Sequence, residues 1–414
     1  MNTKAKKKAD TDSGERTAKT QGKTGLKTWI TRGGVMVLFL AIGFAVGYFG
    51  GMAIGKMAAE SAGGDEKKAI LSIVLGLLCI YVGIMLQAAV HEAGHLICGL
   101  ISGYEFASYR IGNLMFVKKE GKLCLKKYSL AGTGGQCLMT PPRPYCDDIP
   151  FLLYNFGGSI ANLILAAISL LLYPAVSAPM LRLFFLFLAA AGAALALMNG
   201  IPMRSGKLNN DGSNAMALRK NPGARRCFWA QMQMNGELTN EVRIKDMPEE
   251  WFEMPDRKAR ENSICASSAV FCLSRAMDEL KFEEAERIGK EILAYPGALV
   301  GIHRLMTEAE LLYCELLKKC GYWRTESHSE GTAPEAAEPV EMSKELKQFL
   351  KSASTLPSAL RIQYAYELIE NQNEAAAEKC LAAFEKTAAR YPHACEIEGE
   401  RELIACVQEA LEER

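Results

Sequence analysis

Long apolar segments alternate with charged segments along the first half of the chain, whereas the second half is charged and amphipathic. The apolar segments cover residues 34–58, 69–100, 150–176 and 180–203. Each is long enough to cross a bilayer, for which a helix needs roughly 20 residues. The pattern therefore predicts four transmembrane helices.

The first apolar segment follows a polar and basic stretch. Residues 1–33 contain nine lysines and arginines against three acidic residues, and they bury too little apolar surface to fold. We expect a disordered basic tail there. Along the first span, Gly43, Gly47, Gly51 and Gly55 recur every four residues. This spacing favours close helix packing on one face, and the general frequency of glycine in membrane helices is the alternative explanation.

The basic residues outside the spans predict the orientation, because lysine and arginine concentrate in cytoplasmic loops. The tail and residues 101–149 are rich in them, whereas the short loop at Ser177 and Ala178 contains none. Four spans with both termini in the cytoplasm fit this distribution. We therefore expect an integral protein of the cell membrane, embedded in the lipid bilayer, whose second and fourth spans end at the cytoplasmic face.

Residues 109–130, between the second and third spans, alternate weakly between apolar and polar positions. The alternation breaks at Lys119-Glu120-Gly121, where glycine favours a hairpin turn. A small β-hairpin is therefore predicted, with a plain cytoplasmic loop as the alternative. The Gly-rich residues 131–136 lack the strand and helix context of a phosphate-binding loop, and we expect an irregular loop there.

The chain after residue 212 has a different character. Residues 213–262 have the composition of a connector, irregular from Phe228 to Pro255 with at most one short helix. Residues 263–414 place apolar side chains at helical spacing, interrupted by a linker rich in Ser, Glu, Ala and Pro at 325–339. The pattern weakly resembles paired helices of the tetratricopeptide kind. It favours a cytoplasmic helical domain that docks a protein partner, or one that only stabilises the chain.

The composition fits a chain that lies partly in a membrane and partly in water. Of the 414 residues, 49% are hydrophobic and 23% are charged, and the formal net charge is +1. The sequence shows no basic face with aromatic or Gly-rich reading elements, so we expect no nucleic-acid partner. The thirteen cysteines form no Cys-x-x-Cys pair and fall mostly in segments predicted to be cytoplasmic, which indicates reduced thiols.

These patterns predict the fold class. We expect an all-α polytopic membrane protein with four transmembrane helices and a small β-hairpin between the second and third, followed by a soluble α-helical, repeat-like domain. The predicted divisions are a tail at 1–33, a membrane domain at 34–212, a connector at 213–262 and a helical domain at 263–414.

The second span contains the candidate chemistry, a His-Glu-x-x-His motif that runs from His91 to His95. Residues four apart lie on one face of a helix, so both imidazoles can bind one metal ion. Glu92 can then hold and deprotonate a water molecule at that ion. Histidine and glutamate are costly to bury in a membrane, which favours a functional site over a chance pattern.

A zinc protease needs a third protein ligand, and Asp211 stands out among the acidic residues near the predicted cytoplasmic face. Asp211 and Gly212 follow the fourth span, which ends in an Asn-x-x-Pro sequence at residues 199–202. With these two motifs, in this order after His-Glu-x-x-His, the chain resembles the site-2 protease family of intramembrane metalloproteases over residues 70–215. The segment from Asn155 to Asn162 is also similar to a small-residue segment of that family.

The resemblance implies a role for each matching residue. His91, His95 and Asp211 would bind Zn²⁺, Glu92 would be the catalytic acid and base, and Asn199 would stabilise the oxyanion or orient the substrate. The implied function is that of a zinc metalloendopeptidase, which hydrolyses a peptide bond in or near a transmembrane segment of a membrane protein or peptide precursor.

One spacing departs from the family pattern. Eight residues separate Pro202 from Asp211, where the family usually has four. A longer loop can still fold back, because each doubling of loop length costs only about 0.6 kcal/mol in closure entropy. Asp147, Asp148 and Asn210 are the alternative third ligands.

Two other functions stay open at the level of the sequence. The chain could be a non-proteolytic membrane scaffold or metal-binding regulator that acts through its helical domain, which the long loop before Asp211 favours. It could also be a membrane-bound zinc protease with a glutamate ligand on another helix, but the third and fourth spans contain no glutamate.

Overall fold

The structure is a computed structural model. It describes residues 43–44, 47–60, 63–119, 121–128, 134–205, 208–323 and 339–412. The predicted basic tail and all but one residue of the predicted linker at 325–339 lie outside these ranges. Much of the predicted first span also lies outside them, and its residues 47–60 are helical and form α1.

Three further apolar helices correspond to the remaining predicted spans. They are α2 (Glu66–Ile101), α3 (Phe151–Leu172), which continues as a 3₁₀ turn at Tyr173–Ala175, and α4 (Pro179–Gly200). Within the described ranges, these are the helices long and apolar enough to cross a membrane. The structure therefore confirms the membrane-type helices predicted for the second, third and fourth spans.

The chain divides into two compact units, and the first contains Met1–Gln87 and Leu163–Leu197. Its interior is a small apolar cluster that includes Ile54 and Phe187. Many of its large apolar side chains are exposed, among them Leu71 and Leu171. A surface of this kind suits a lipid environment, because soluble proteins rarely expose large contiguous apolar areas.

The glycine face predicted for close packing contacts no neighbour in the described part of this unit. A side chain added at Gly47, Gly51 or Gly55 would meet no atom within 4 Å. The close contact lies one position away, at Gly50, where a Cβ atom would lie 2.6 Å from the ring of Phe187. The role of the glycine repeat in helix packing stays a prediction.

The second unit contains Ala88–Asn162 and Met198–Arg414. Between α2 and α3 it forms a four-stranded antiparallel sheet with the strand order β3-β2-β1-β4. The strands are β1 (Glu105–Ile111), β2 (Leu114–Lys119), β3 (Lys122–Lys127) and β4 (Gly135–Thr140).

The predicted hairpin is confirmed as β2 and β3, in which Lys119 pairs with Lys122. Gly121 has a φ of 77°, a conformation that glycine adopts without strain. The prediction was too small, however, because β1 and β4 extend the hairpin to a four-stranded sheet. The irregular loop predicted for residues 131–136 is wrong at its end, where β4 begins at Gly135.

Two helices occupy much of the segment predicted to be an irregular connector. A short hairpin comes first, in which the strands β5 (Arg204–Ser205) and β6 (Leu208–Asn209) have two residues each. The helices α5 (Asp211–Leu218) and α6 (Pro222–Thr239) follow it. Asn221 caps α6 by accepting a hydrogen bond from the backbone of Ala224 at 3.0 Å, and proline stands in the first helical turn. An Asn-Pro start of this kind is a helix signal.

The predicted helices of the C-terminal region are confirmed. They are α7 (Ser263–Asp278), α8 (Phe282–Ala294), α9 (Gly301–Lys319), α10 (Lys344–Ser352), α11 (Pro357–Ile369), α12 (Glu374–Ala388) and α13 (Ala394–Glu412). Helices α7 with α8, α8 with α9 and α11 with α12 pack on each other as neighbours. Their inward faces share one apolar core, centred on side chains such as Tyr313 and Phe384.

Candidate metal centre

Both histidines of the motif lie one turn apart on α2. His91 and His95 are buried, with 8% and 7% of their surface exposed. Gly94, between them, lies against Gly157 of α3, and a Cβ atom at Gly94 would overlap the carbonyl oxygen of Gly157. The two glycines therefore let α2 and α3 cross at backbone contact beside the histidines.

Helix α3 orients both imidazole rings. Nδ1 of His91 donates a hydrogen bond to Oδ1 of Asn162 at 2.7 Å, and Nδ1 of His95 donates to the carbonyl oxygen of Tyr154 at 2.8 Å. An oxygen of this kind only accepts, so the proton of each ring is held on Nδ1. Each Nε2 atom then offers its lone pair to the interior of the site.

Asp211 is the first residue of α5, and a folded loop brings it to the histidines. The short strands β5 and β6 pair with each other and bring Asn210 back to Met203. The backbone N–H of Asn210 donates to the carbonyl oxygen of Met203 at 3.2 Å. The extra residues before Asp211 are thus closed off within this hairpin. The longer spacing does not displace the aspartate from the site.

Asn210 fixes the start of α5. Its Oδ1 atom accepts from the backbone of Ser213 at 2.9 Å and from that of Met203 at 3.0 Å. Its Nδ2 atom donates to the carbonyl oxygens of Met198 at 2.7 Å and Ile201 at 2.6 Å. Asn210 is therefore a helix cap that joins α5 to the end of α4, and its alternative role as a metal ligand stays a prediction.

Three candidate ligand atoms form a compact triangle. Oδ2 of Asp211 lies 3.1 Å from Nε2 of His91 and 3.4 Å from Nε2 of His95, and the two Nε2 atoms lie 3.2 Å apart. Around a tetrahedral zinc ion with bonds of about 2.0 Å, neighbouring ligand atoms stand about 3.3 Å apart. The three residues can therefore hold one metal ion, with a coordination position left over.

The electrostatics of the site favour a cation. Burial acts to raise the pKa of Asp211, but the neighbouring imidazoles of His91 and His95 outweigh it and lower that pKa to about 2. The aspartate is consequently ionised at neutral pH. An ionised carboxylate and two imidazole nitrogens are a ligand set that suits zinc.

Glu92 directly follows His91 in α2, and its side chain packs against the sheet. A side chain at Gly135, the first residue of β4, would lie 2.7 Å from Cγ and Oε1 of Glu92. The absence of a side chain at Gly135 therefore leaves space for the glutamate. Arg110 of β1 is buried and donates to the carbonyl oxygen of Gly112 at 2.8 Å, which supports the same end of the sheet.

The other predicted site residues are not part of the cluster formed by His91, His95 and Asp211. Asn199 lies in the last turn of α4, next to Gly200, and its predicted role stays a prediction. Oδ1 of Asp147 accepts a hydrogen bond from the hydroxyl group of Tyr145 at 2.8 Å. In the described part of the chain, the cluster that can hold a metal contains neither Asp147 nor Asp148.

Sequence reasoning did not assign a role to Asn162 or Tyr154, which orient the two histidines. Asn162 is fully buried within an apolar helix, and a buried asparagine in a membrane-type segment is a signal for a functional contact. Tyr154 acts through its backbone carbonyl, for which the side chain gives no signal.

Comparison of the chain with protein-family models, with curated proteins and with solved structures gives no match.

Proposed function

We propose that the protein is an intramembrane zinc metalloprotease of the site-2 protease type. The observation that carries this proposal is the meeting of His91, His95 and Asp211, three residues from two separate sequence motifs, at one metal-binding point. Glu92 adjoins them on α2. A structural ion pair would not require two oriented histidines, an aspartate and an adjacent carboxylate in this arrangement.

The chemistry would divide among the residues of the site. A zinc ion bound there lowers the pKa of water from 15.7 towards about 7 and polarises a carbonyl group. Oε1 or Oε2 of Glu92 would accept the proton of the attacking water and return it to the leaving amine. Asn162 and Tyr154 would keep both Nδ1 atoms protonated, and Asn199 would donate to the developing oxyanion.

The sheet offers a way to present a substrate. A peptide bond in a helix is closed to attack, so a transmembrane substrate must be unwound before hydrolysis. The strand beside Glu92 is β4, which begins at Gly135. Among the described strands, β4 pairs with β1 alone, so its outer edge can receive an extended substrate by main-chain pairing.

We also propose that the site lies near the cytoplasmic face of the cell membrane. The distribution of lysine and arginine supports this, because the segment that follows α2 is rich in both. The same distribution supports cytoplasmic termini and four spans in total. In this orientation, cleavage would release a fragment of a membrane protein or peptide precursor on the cytoplasmic side.

A cleavage assay with purified protein tests the proposal. The protein is reconstituted in liposomes with a library of single-span membrane segments, each carrying a tag at both ends. We expect cleavage by the wild type and no cleavage by Glu92→Gln. Glu105→Gln, which removes an exposed carboxylate of the same unit, is the matched control and should retain cleavage. Equal cleavage by the wild type and Glu92→Gln would overturn the proposal.

A further inference from the structure

The helical region of the second unit contains a charged cavity of about 160 Å³ that is open to solvent. Helices α7, α9, α11 and α13 and the turn after α6 form its walls. The ionisable residues that line it are Arg243, Asp278, Glu310, Arg361, Glu396 and Glu400. None of these residues belongs to the candidate metal centre.

Arg361, which is only 1% exposed, is bound by carboxylates of the cavity wall. Its Nη2 atom donates to both carboxylate oxygens of Glu310, at 2.8 and 2.7 Å, and its Nε atom donates to Glu400 at 2.6 Å. Its Nη1 atom is buried and has no hydrogen-bond partner in the described chain. A buried donor without an acceptor is costly and calls for a ligand or water.

Arg243, in the turn after α6, is also bound by carboxylates. Its Nη2 atom donates to Asp278 at 2.7 Å, and its two terminal nitrogens also bind the carboxylate of Glu402. Gly399 of α13 makes room for this pair, because a Cβ atom there would lie 2.5 Å from Oδ1 of Asp278. Both arginines are thus already paired with carboxylates.

The cavity wall has a surplus of acidic groups over basic ones. It contains two more carboxylates than guanidinium groups, and Glu396 forms no ion pair with any residue that the structure describes. Burial, and then the charge of Glu400, raise the pKa of Glu396 to about 7. Buried carboxylates are stabilised by a cation, so a basic ligand would relieve this surplus.

An apolar recess adjoins the acidic cavity. It shares Met306, Glu310 and Ser358 with the cavity and adds apolar side chains from α10 and α11, including Phe349 and Leu356. The recess holds only about 10 Å³, so it adds apolar side chains to the lining of the cavity but is too small to receive a side chain of its own.

We propose that this cavity binds a lysine or arginine side chain in the basic cytoplasmic flank of the membrane segment that the metal centre cleaves. The proposal rests on the proposed protease function for the identity of the segment. Lysine and arginine are enriched where transmembrane segments enter the cytoplasm, so charge complementarity selects this class of peptide.

The residues just before α13 contact the edge of the sheet that is opposite to β4. The turn before α13 contacts β3 and its following residue, because Nζ of Lys126 donates to the carbonyl oxygen of Pro392 at 2.5 Å. The rings of Tyr128 and Tyr391 also meet edge to face, with centroids 5.5 Å apart. A flank held in the cavity would therefore be bound by the same unit that carries the strand edge proposed to receive the substrate.

Peptide binding tests this proposal independently of proteolysis. Full-length Glu92→Gln protein in detergent is titrated into a short fluorescein-labelled peptide of alternating leucine and lysine, and fluorescence anisotropy is measured. The comparison peptide has glutamate in place of lysine. We expect binding of the lysine peptide alone, and about tenfold weaker binding when Glu396→Gln is added.

The matched control is Glu398→Gln, which removes an exposed carboxylate from the same helix and should leave the affinity unchanged. A second variant, Ser358→Lys, carries its own ammonium group to the cavity and should also weaken binding. Equal affinity for the lysine and glutamate peptides would overturn the proposal. Equal effects of the substitutions at 396 and 398 would also overturn it, and the carboxylates would then only stabilise the domain. Because no cleavage is measured, these outcomes are separate from failure of the protease function.

Discussion

The side-chain oxygen of Asn162 lies 2.7 Å from Nδ1 of His91. Because an amide oxygen only accepts hydrogen bonds, this contact fixes the tautomer of the histidine and directs the lone pair of Nε2 towards Asp211. The asparagine lies on α3 and the histidine on α2. The correct state of the metal-binding ring thus depends on how closely these two helices pack.

Asn162→Ala should lower metal affinity by about 10- to 100-fold, the usual effect of removing a hydrogen-bond partner from a metal-binding histidine. Zinc titration against a competing chelator measures this change. Asn155→Ala is the control, since the side chain of Asn155 donates to the carbonyl oxygen of Phe151 in its own helix. Equal affinity losses in both variants would show that the contact with His91 has no specific role.

Gly94→Ala should separate α2 from α3, because the added methyl group would overlap the carbonyl oxygen of Gly157. Overpacking of this kind typically costs about 1–3 kcal/mol, and here it also moves both histidines. We expect lower thermal stability and loss of bound metal. Gly55→Ala, which meets no atom within 4 Å, should change neither quantity. Full metal content in the Gly94→Ala protein would contradict the close crossing.

Asn210→Ala should impair the metal site, because Asn210 holds the start of α5 with four hydrogen bonds. Loss of an asparagine cap costs about 1 kcal/mol of stability. Asn221→Ala removes the equivalent cap of α6 and should cost similar stability but retain the metal. Metal analysis and thermal unfolding of both variants distinguish a local effect on Asp211 from general destabilisation.

Stability of the helical region should depend on pH through Glu396. Burial and the charge of Glu400 raise the pKa of this carboxyl from 4.5 to about 7. A carboxyl group whose pKa is higher in the folded than in the unfolded protein stabilises the folded state fully at pH values below its unfolded pKa. This stabilisation is lost as the pH rises through the folded pKa of about 7. Glu396→Gln should therefore be more stable than the wild type at pH 8, by up to about 3 kcal/mol, and not at pH 4. Hydrogen exchange of α13 at both pH values measures this, and a difference independent of pH would contradict it.

The sequence predicted the elements whose signal is local. The apolar runs predicted α2, α3 and α4, and the glycine turn predicted the hairpin of β2 and β3. Helical spacing predicted α7 to α13. The strands β1 and β4 escaped prediction because their pairing joins residues far apart in sequence, such as Tyr109 and Cys137. Helix α6 is longer than the one short helix expected in the connector, and its Asn-Pro start is the local signal for it.

The candidate site shows a similar division. The motif spacing identified His91 and His95 as a pair, since a helix alone brings them together. The position of Asp211 required tertiary structure, because only the folded hairpin after Met203 returns the chain to the site. The same holds for Asn162, whose contact with His91 depends on the crossing of two helices.

Metal content of the purified full-length protein tests the central claim most directly. The wild type is compared with His91→Ala and Asp211→Ala by elemental analysis, after loading with zinc and removal of the excess. The account predicts about one zinc ion per chain in the wild type, in line with a three-ligand site, and loss of that ion in both variants. A wild-type protein that binds no zinc, or an Asp211→Ala protein that retains it in full, would contradict the metal centre.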